Sequence, residues 1–194
     1  MKLIMILSDQ DIRQAIEAGV IKIDPYPDFE QQLGPSSLDF HLGNEFKLFD
    51  TTSHPYIDPR QKDLLDNLHR TVMVEDDHPF IVHPGELILA AVTEWMILPN
   101  DLIGRLEGRS SLARLGVVVH STAARFDPGW DGRPVLELGN LGRMPVALYP
   151  GMRICSFTFE KLSSPSLRAY GKDPRSKYAQ QAGVIGSQLG KELK

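Results

Sequence analysis

The chain has 194 residues, 42% hydrophobic and 24% charged, a balance that supports one sizeable core and one domain. Its longest apolar run, Leu87 to Val92, is far short of the roughly 18 residues of a membrane span. A net charge of −4 argues against nucleic-acid or anionic-membrane binding. The single cysteine, Cys155, permits no intrachain disulfide, excludes a multi-cysteine zinc site and reads as core filler. Met1-Lys2-Leu3-Ile4-Met5-Ile6-Leu7 runs into Ser8-Asp9-Gln10-Asp11 where a signal peptide needs small cleavage-site residues, so a cytoplasmic location is expected.

In chain order, Ser8 and Asp11 have capping-box spacing, and Ile12, Ala15 and Ile16 continue with helical periodicity to Gly19, which predicts one amphipathic N-terminal helix. The pattern then changes to period two. Leu38, Phe40 and Leu42 alternate with Asp39 and His41, and Phe80-Ile81-Val82, Val146 with Leu148, and Ile154 with Ser156 read as short strands. Pro84-Gly85, Pro128-Gly129 and Pro150-Gly151 predict type II turns, with proline presetting φ and glycine taking the positive φ. Short strands joined by such turns indicate a sandwich or barrel. Between Asp58 and Asp77 lies a polar insertion whose Pro59 to Asp66 stretch is expected to form a short surface helix. After Ser163 the apolar periodicity stops, and Arg168, Lys172, Arg175, Lys177, Lys191 and Lys194 outnumber Asp173 and Glu192, a surplus of +4. A basic arm that closes on a small anion, or a solvated tail, fits this pattern.

The densest polar cluster is Gly108-Arg109-Ser110-Ser111-Leu112-Ala113-Arg114-Leu115-Gly116. Two guanidiniums and two hydroxyls at a loop-to-helix junction suit phosphate oxygens, because arginine binds them bidentately and a helix start adds positive potential; capping of a surface helix is the plainer alternative. Downstream, Glu137 interrupts Val135, Leu136 and Leu138. In a strand it shares a face with Val135, opposite Leu136 and Leu138. A partly buried carboxylate tends toward a raised pKa, which suits proton transfer near neutrality; an outward-facing strand residue is the alternative.

These segments resemble the dCTP deaminase family of the trimeric dUTPase-like superfamily. The resemblance rests on Gly108 to Gly116, Thr122-Ala123, Asp127-Pro128-Gly129-Trp130, Val135-Leu136-Glu137, and Tyr170, Lys177, Tyr178 and Gln181, with Ile6-Leu7-Ser8-Asp9 and Gly34-Pro35-Ser36-Ser37-Leu38-Asp39 upstream. It implies a mainly β, distorted jelly-roll or barrel domain over 1–162, with the N-terminal helix, a few short helices, and an arm over 163–194 that lids the nucleotide. It also implies a homotrimer with active sites between subunits.

The resemblance further implies hydrolysis of dCTP to dUTP and ammonia, with Glu137 as general base and acid. The Ser110 hydroxyl and the Ala123 carbonyl would position the attacking water, and Arg114 would stabilise the site electrostatically. Arg109 and Ser111, with the helix start through Leu112 and Ala113, would hold the triphosphate and its magnesium. Asp127 would bind the 3′-hydroxyl, Val135, Leu136 and Glu137 would read the cytosine edge, and Tyr170, Lys177 and Gln181 would close from the arm. Zinc is not expected, because the H-x-E and P-C-x-x-C pattern of zinc deaminases is absent from the sequence. An inhibitory role for dTTP comes with the resemblance. Ala124-Arg125 and Trp130 resemble members that stop at dUTP, while His120-Ser121-Thr122 resembles some bifunctional members that continue to dUMP and pyrophosphate. The reading is deaminase-only. The alternatives are the bifunctional enzyme, a dUTP pyrophosphatase, which Glu137 argues against, and a non-catalytic nucleotide-sensing trimer.

Overall fold

A computed structural model describes residues 5–50, 55–61, 65, 67–75 and 77–192. Helix α1 (Asp9–Glu17) forms as its sequence predicts: Ser8 and Asp11 complete the capping box, and Ile12 and Ile16 enter the core. Strand β1 (Lys22–Asp24) and the one-turn helix α2 (Phe29–Gln32) lead into β2 (Leu38–Phe49), whose Leu38, Phe40, Leu42 and Phe46 are fully buried. The strands β3 (His69–Met73), β4 (Phe80–Val82), β5 (Leu87–Val92), β6 (Trp95–Ile97) and β7 (Leu102–Gly108) follow. A one-turn helix α3 (Ser110–Ala113) then precedes β8 (Val117–Val118), β9 (Arg125–Phe126), β10 (Asp131–Gly132), β11 (Val135–Asn140), β12 (Val146–Leu148) and β13 (Arg153–Lys161).

The main sheet is antiparallel, in the order β8-β11-β5-β2-β13-β7-β9, with β3 also on β2; β1-β6-β10 and β4-β12 form smaller sheets. β2 changes partners along its length. Leu38 to His41 pair with β13, Leu42 to Leu48 pair with β5 across a register shift, and Glu45 to Phe49 also pair with β3. A shift of this kind bends the strand, which curls the sheet into a jelly-roll-like β structure. Aromatic contacts link the layers: Phe40 and Phe126 both meet Phe157, at 4.6 and 5.1 Å between centroids, and Phe46 stacks on Phe80 at 4.3 Å.

The three Pro-Gly turns are present, with Gly85, Gly129 and Gly151 at φ of +80°, +82° and +79°. Two expectations need correction. The Asp58 to Asp77 insertion contains strand β3, in antiparallel register with β2 from Phe49↔His69 to Glu45↔Met73. Its polar exposed side chains hid it, because an edge strand needs no strong apolar alternation. The expected helix over Pro59 to Asp66 falls partly on 62–64 and 66, outside the described residues. The arm after Ser163 is not simply solvated: Ala169 and Val184 are buried, Tyr170 stacks on Trp130 at 5.3 Å, and the Tyr170 N–H donates to the Pro128 carbonyl at 2.7 Å. Isolated apolar residues separated by turns leave no periodic signature.

Gly116 ends the α3 segment at φ +90°, and a Cβ there would lie 2.5 Å from the backbone nitrogen of Gly142. Gly116→Ala is therefore expected to lower stability by about 2 kcal/mol or more through strain and overlap together. Denaturant unfolding of the variant beside wild type measures this, and equal midpoints would contradict it.

Candidate active site

A cleft of about 630 Å³ opens beside β11, lined at one end by Ala123, Asp127, Val135, Glu137, Tyr170 and Gln181. Its size is that of a small-ligand site. β11 pairs with β5 in the register Val135↔Ala91, Leu136↔Ala90 and Glu137↔Leu89. Leu136 and Leu138 are fully buried, so strand alternation turns Val135 and Glu137 to the cleft. The Ser121 N–H donates to Glu137 Oε2 at 2.8 Å, and the Glu137 N–H donates to the Val119 carbonyl at 3.2 Å. The carboxylate is thus held at one oxygen by the 119–121 segment.

The arm reaches the same cleft. The Tyr178 N–H donates to the Tyr170 hydroxyl at 2.9 Å, and burial pushes the Tyr170 phenol up. Gln181 is buried and its side-chain amide donates to the Arg133 carbonyl at 2.9 Å, while the Gln181 carbonyl accepts from Arg133 N–H at 2.9 Å. Asp127 pairs with Arg125 at 2.8 Å. Lys177 lies outside the cleft lining and pairs with Glu192 at 2.7 Å.

The cradle 109–114 does not line this cleft. Arg109 occupies the N-cap of α3 in extended conformation, forms an ion pair with Asp39 at 3.3 Å, and donates from Nη1 to the Arg153 carbonyl at 2.9 Å. Ser110, Ser111, Ala113 and Arg114 are exposed, whereas Leu112 packs into the core. Leu112 and Leu136 were both expected at the substrate. Their side chains belong to the core, which leaves their backbones for any ligand contact.

The sequence reading missed the apolar part of the cleft lining, Phe49, Leu65, Leu68, His69, Leu87 and Leu89, of which Leu89 is the cross-strand neighbour of Glu137. Without β3 and its pairing to β2, no local pattern brings Leu68 and His69 to this cleft. The His69 ring packs against Phe49 in a tilted arrangement, 4.4 Å between centroids. Its Nε2 is buried with no hydrogen-bond partner among the described residues, and burial, aided by the Lys47 charge, pushes its pKa down. Cys155 is fully buried, and burial pushes its thiol well up. Among the described residues no three His, Cys, Asp or Glu side chains come together as a metal-binding group, and no helix is long and apolar enough to cross a membrane.

The molecule is thus a jelly-roll-like, curled antiparallel β protein with a carboxylate-bearing cleft of small-ligand size. A family model described as dCTP deaminase-like matches residues 6–162. The chain is 56% identical over 189 residues to a dCTP deaminase from Thermomicrobium roseum, across 97% of this chain and 96% of that one. It is 51% identical over 177 residues to a dUMP-forming dCTP deaminase from Methanothermobacter thermautotrophicus, across 91% and 89%. The fold is similar to the crystal structure of 2′-deoxycytidine 5′-triphosphate deaminase from Agrobacterium tumefaciens, with a TM-score of 0.65 and 22% identity over 82% of this chain and 49% of that longer one. This chain belongs to the dCTP deaminase-like family.

Leu136→Ala separates the packing role of β11 from its chemistry. The variant is expected to lose about 2–5 kcal/mol of stability while nucleotide affinity, measured by calorimetry below its melting temperature, stays near wild type. A large affinity loss without destabilisation would contradict the assignment of Leu136 to the core.

Proposed function

We propose that this protein hydrolyses dCTP to dUTP and ammonia, with Glu137 as the proton-transfer group, in a homotrimer whose active sites lie between subunits. The observation that carries the reading is Glu137 itself, a carboxylate turned to the cleft by β11 and held at Oε2 by the Ser121 N–H at 2.8 Å. In this reading Val135 and the β11 backbone meet the cytosine, Asp127 meets the 3′-hydroxyl, and Tyr170 and Gln181 close the cleft from the arm.

Glu137 takes a proton from the water that attacks C4 and delivers it to N3, giving a tetrahedral carbon bearing hydroxyl and amine. It then takes the hydroxyl proton and passes it to the amine nitrogen. The C4–N bond breaks, ammonia leaves and a C4 carbonyl remains. The Ala123 carbonyl and the Ser110 hydroxyl orient the water, and Arg114 supports the charge that develops.

Arg109, Ser110, Ser111 and Arg114 do not line the cleft of their own chain, and this favours a cradle supplied by a neighbouring copy. Lys177 joins the triphosphate on release from Glu192. The 109–114 segment presents cations and hydroxyls, and the one carboxylate beside it, Asp39, is shared between Arg109 and Arg153, a donor set that does not fit a resident divalent ion. Magnesium therefore belongs to the substrate, bound by its phosphate oxygens. The arm 163–194 acts as the lid of the 1–162 domain, and dTTP, which shares the triphosphate and deoxyribose, is an inhibitor of the same site.

A second reading, conversion onward to dUMP and pyrophosphate, is favoured by the dUMP-forming names of relatives at 45–51% identity. Incubation with dCTP and magnesium, following ammonia, dUTP, dUMP and pyrophosphate together, tests both. Ammonia with dUTP supports the first reading, ammonia with dUMP and pyrophosphate the second, and no ammonia overturns both. Glu137→Gln is expected to bind dCTP and to lose turnover by at least about a hundredfold; turnover within tenfold of wild type would remove Glu137 from the proton-transfer role.

A further inference from the structure

Arg109 is fixed from two sides before any ligand arrives. Its Nε lies 3.3 Å from Asp39 Oδ2, and its Nη1 donates to the Arg153 carbonyl at 2.9 Å. The two contacts engage Nε and Nη1, and Nη2 takes part in neither. The same Asp39 Oδ2 accepts from Arg153 Nη1 at 3.3 Å, so one carboxylate sits between two guanidiniums.

The position of this carboxylate is built by the fold. Strand β13 pairs Arg153 with His41 and Cys155 with Phe40, which leaves Ile154 as a bulge. A bulge redirects backbone groups at a strand end, and here the Arg153 carbonyl serves Arg109. The Asp39 backbone is held as well. Its carbonyl accepts from Gln32 Nε2 at 2.8 Å, and Gln32 Nε2 also reaches Glu94 Oε1 at 3.2 Å. Glu94, almost fully buried, accepts from the His41 N–H at 2.9 Å and contacts His41 Nδ1 at 2.6 Å. Such a supporting network fixes a functional group more tightly than packing alone.

We propose that Asp39 is a positioning residue for phosphate recognition: shared between Arg109 and Arg153, its carboxylate locks the Arg109 guanidinium so that the Nη2 edge is presented to the nucleotide phosphates in one orientation. The proposal rests on the dCTP reading, which makes Arg109 a triphosphate contact. Its energetic logic has a sign that can be read. Asp39 offsets part of the positive charge of the two arginines, so if charge alone mattered its removal would tighten binding of an anion. If orientation matters more, its removal weakens binding, because a fork that is not held must lose side-chain freedom on binding.

The test measures Kd by calorimetry for dCTP and dCMP in full-length protein carrying Glu137→Gln, with and without Asp39→Asn. The expected result is about a tenfold weaker dCTP affinity with little change for dCMP, which lacks the β- and γ-phosphates. Tighter dCTP binding would overturn the proposal in favour of charge offset, and equal weakening of both nucleotides with a lower melting temperature would overturn it in favour of a structural role. Arg109→Lys keeps the charge and removes the fork; it should weaken dCTP similarly, and combining it with Asp39→Asn should add little further loss, whereas additive losses would overturn the coupling. Asp39→Glu keeps the charge at the wrong reach and should lie between Asn and wild type for dCTP alone; if Asp39→Asn does not fold, this variant carries the test, and an unchanged dCTP affinity overturns the proposal. Wild-type protein that releases no ammonia from dCTP is a different failure, of the deaminase reading itself.

Discussion

The two-residue alternation of β11 is the constraint on which the site depends. Leu136 and Leu138 are fully buried, and shifting the strand by one residue would put Glu137 into that core and two leucines into the cleft. An uncompensated carboxylate in an apolar core costs several kcal/mol, so core packing and the placement of Glu137 in the cleft are one requirement. The register with β5 and the bond from Val119 then set the height of Glu137 along the strand.

From that constraint follows a division of labour between two parts of the molecule. The cleft holds a carboxylate, an aspartate and the aromatic and amide groups of the arm, while the arginines and serines of 109–114 stand apart on a rigid polar network under β2 and β13. In the proposed trimer the two parts meet only across a subunit boundary. The arm's surplus charge is also partly occupied: Arg175 pairs with Asp173 at 2.6 Å and Lys177 with Glu192 at 2.7 Å. Partly exposed pairs of this kind are weak, so in the proposed complex a triphosphate replaces the Glu192 carboxylate at Lys177 at little cost.

The parts of the fold legible in the sequence were those where a local rule and the tertiary environment agree. The capping box of α1, the positive φ of the Pro-Gly turns, and the alternation of Leu38, Phe40 and Leu42 each survive folding unchanged. Glu137 was legible for the same reason, since a charged residue among Val135, Leu136 and Leu138 has only one face available. β3 was not, because its outward polar residues carry no period and its partner, the far end of β2, is 20 or more positions away in sequence. The arm's packing was hidden as well: Ala169 is set against the Gly129 turn and Val184 is held through its N–H by Glu45 of β2, contacts that no local apolar period signals. Arg109's link to Asp39 joins residues whose proximity only strand pairing between β2 and β13 reveals.

The central claim is that the carboxylate and the arginine cradle of one active site come from different subunits, and mixed oligomers test it most directly. Arg114→Ala and Glu137→Gln subunits, each inactive alone, are co-expressed with different tags, and oligomers carrying both tags are purified and assayed for ammonia release from dCTP. In a cyclic trimer of either mixed composition, one boundary in three joins an intact Glu137 to an intact Arg114, so the doubly tagged fraction should recover about a third of wild-type activity. Doubly tagged oligomers no more active than either parent, or a monomer that retains full activity, would contradict the account.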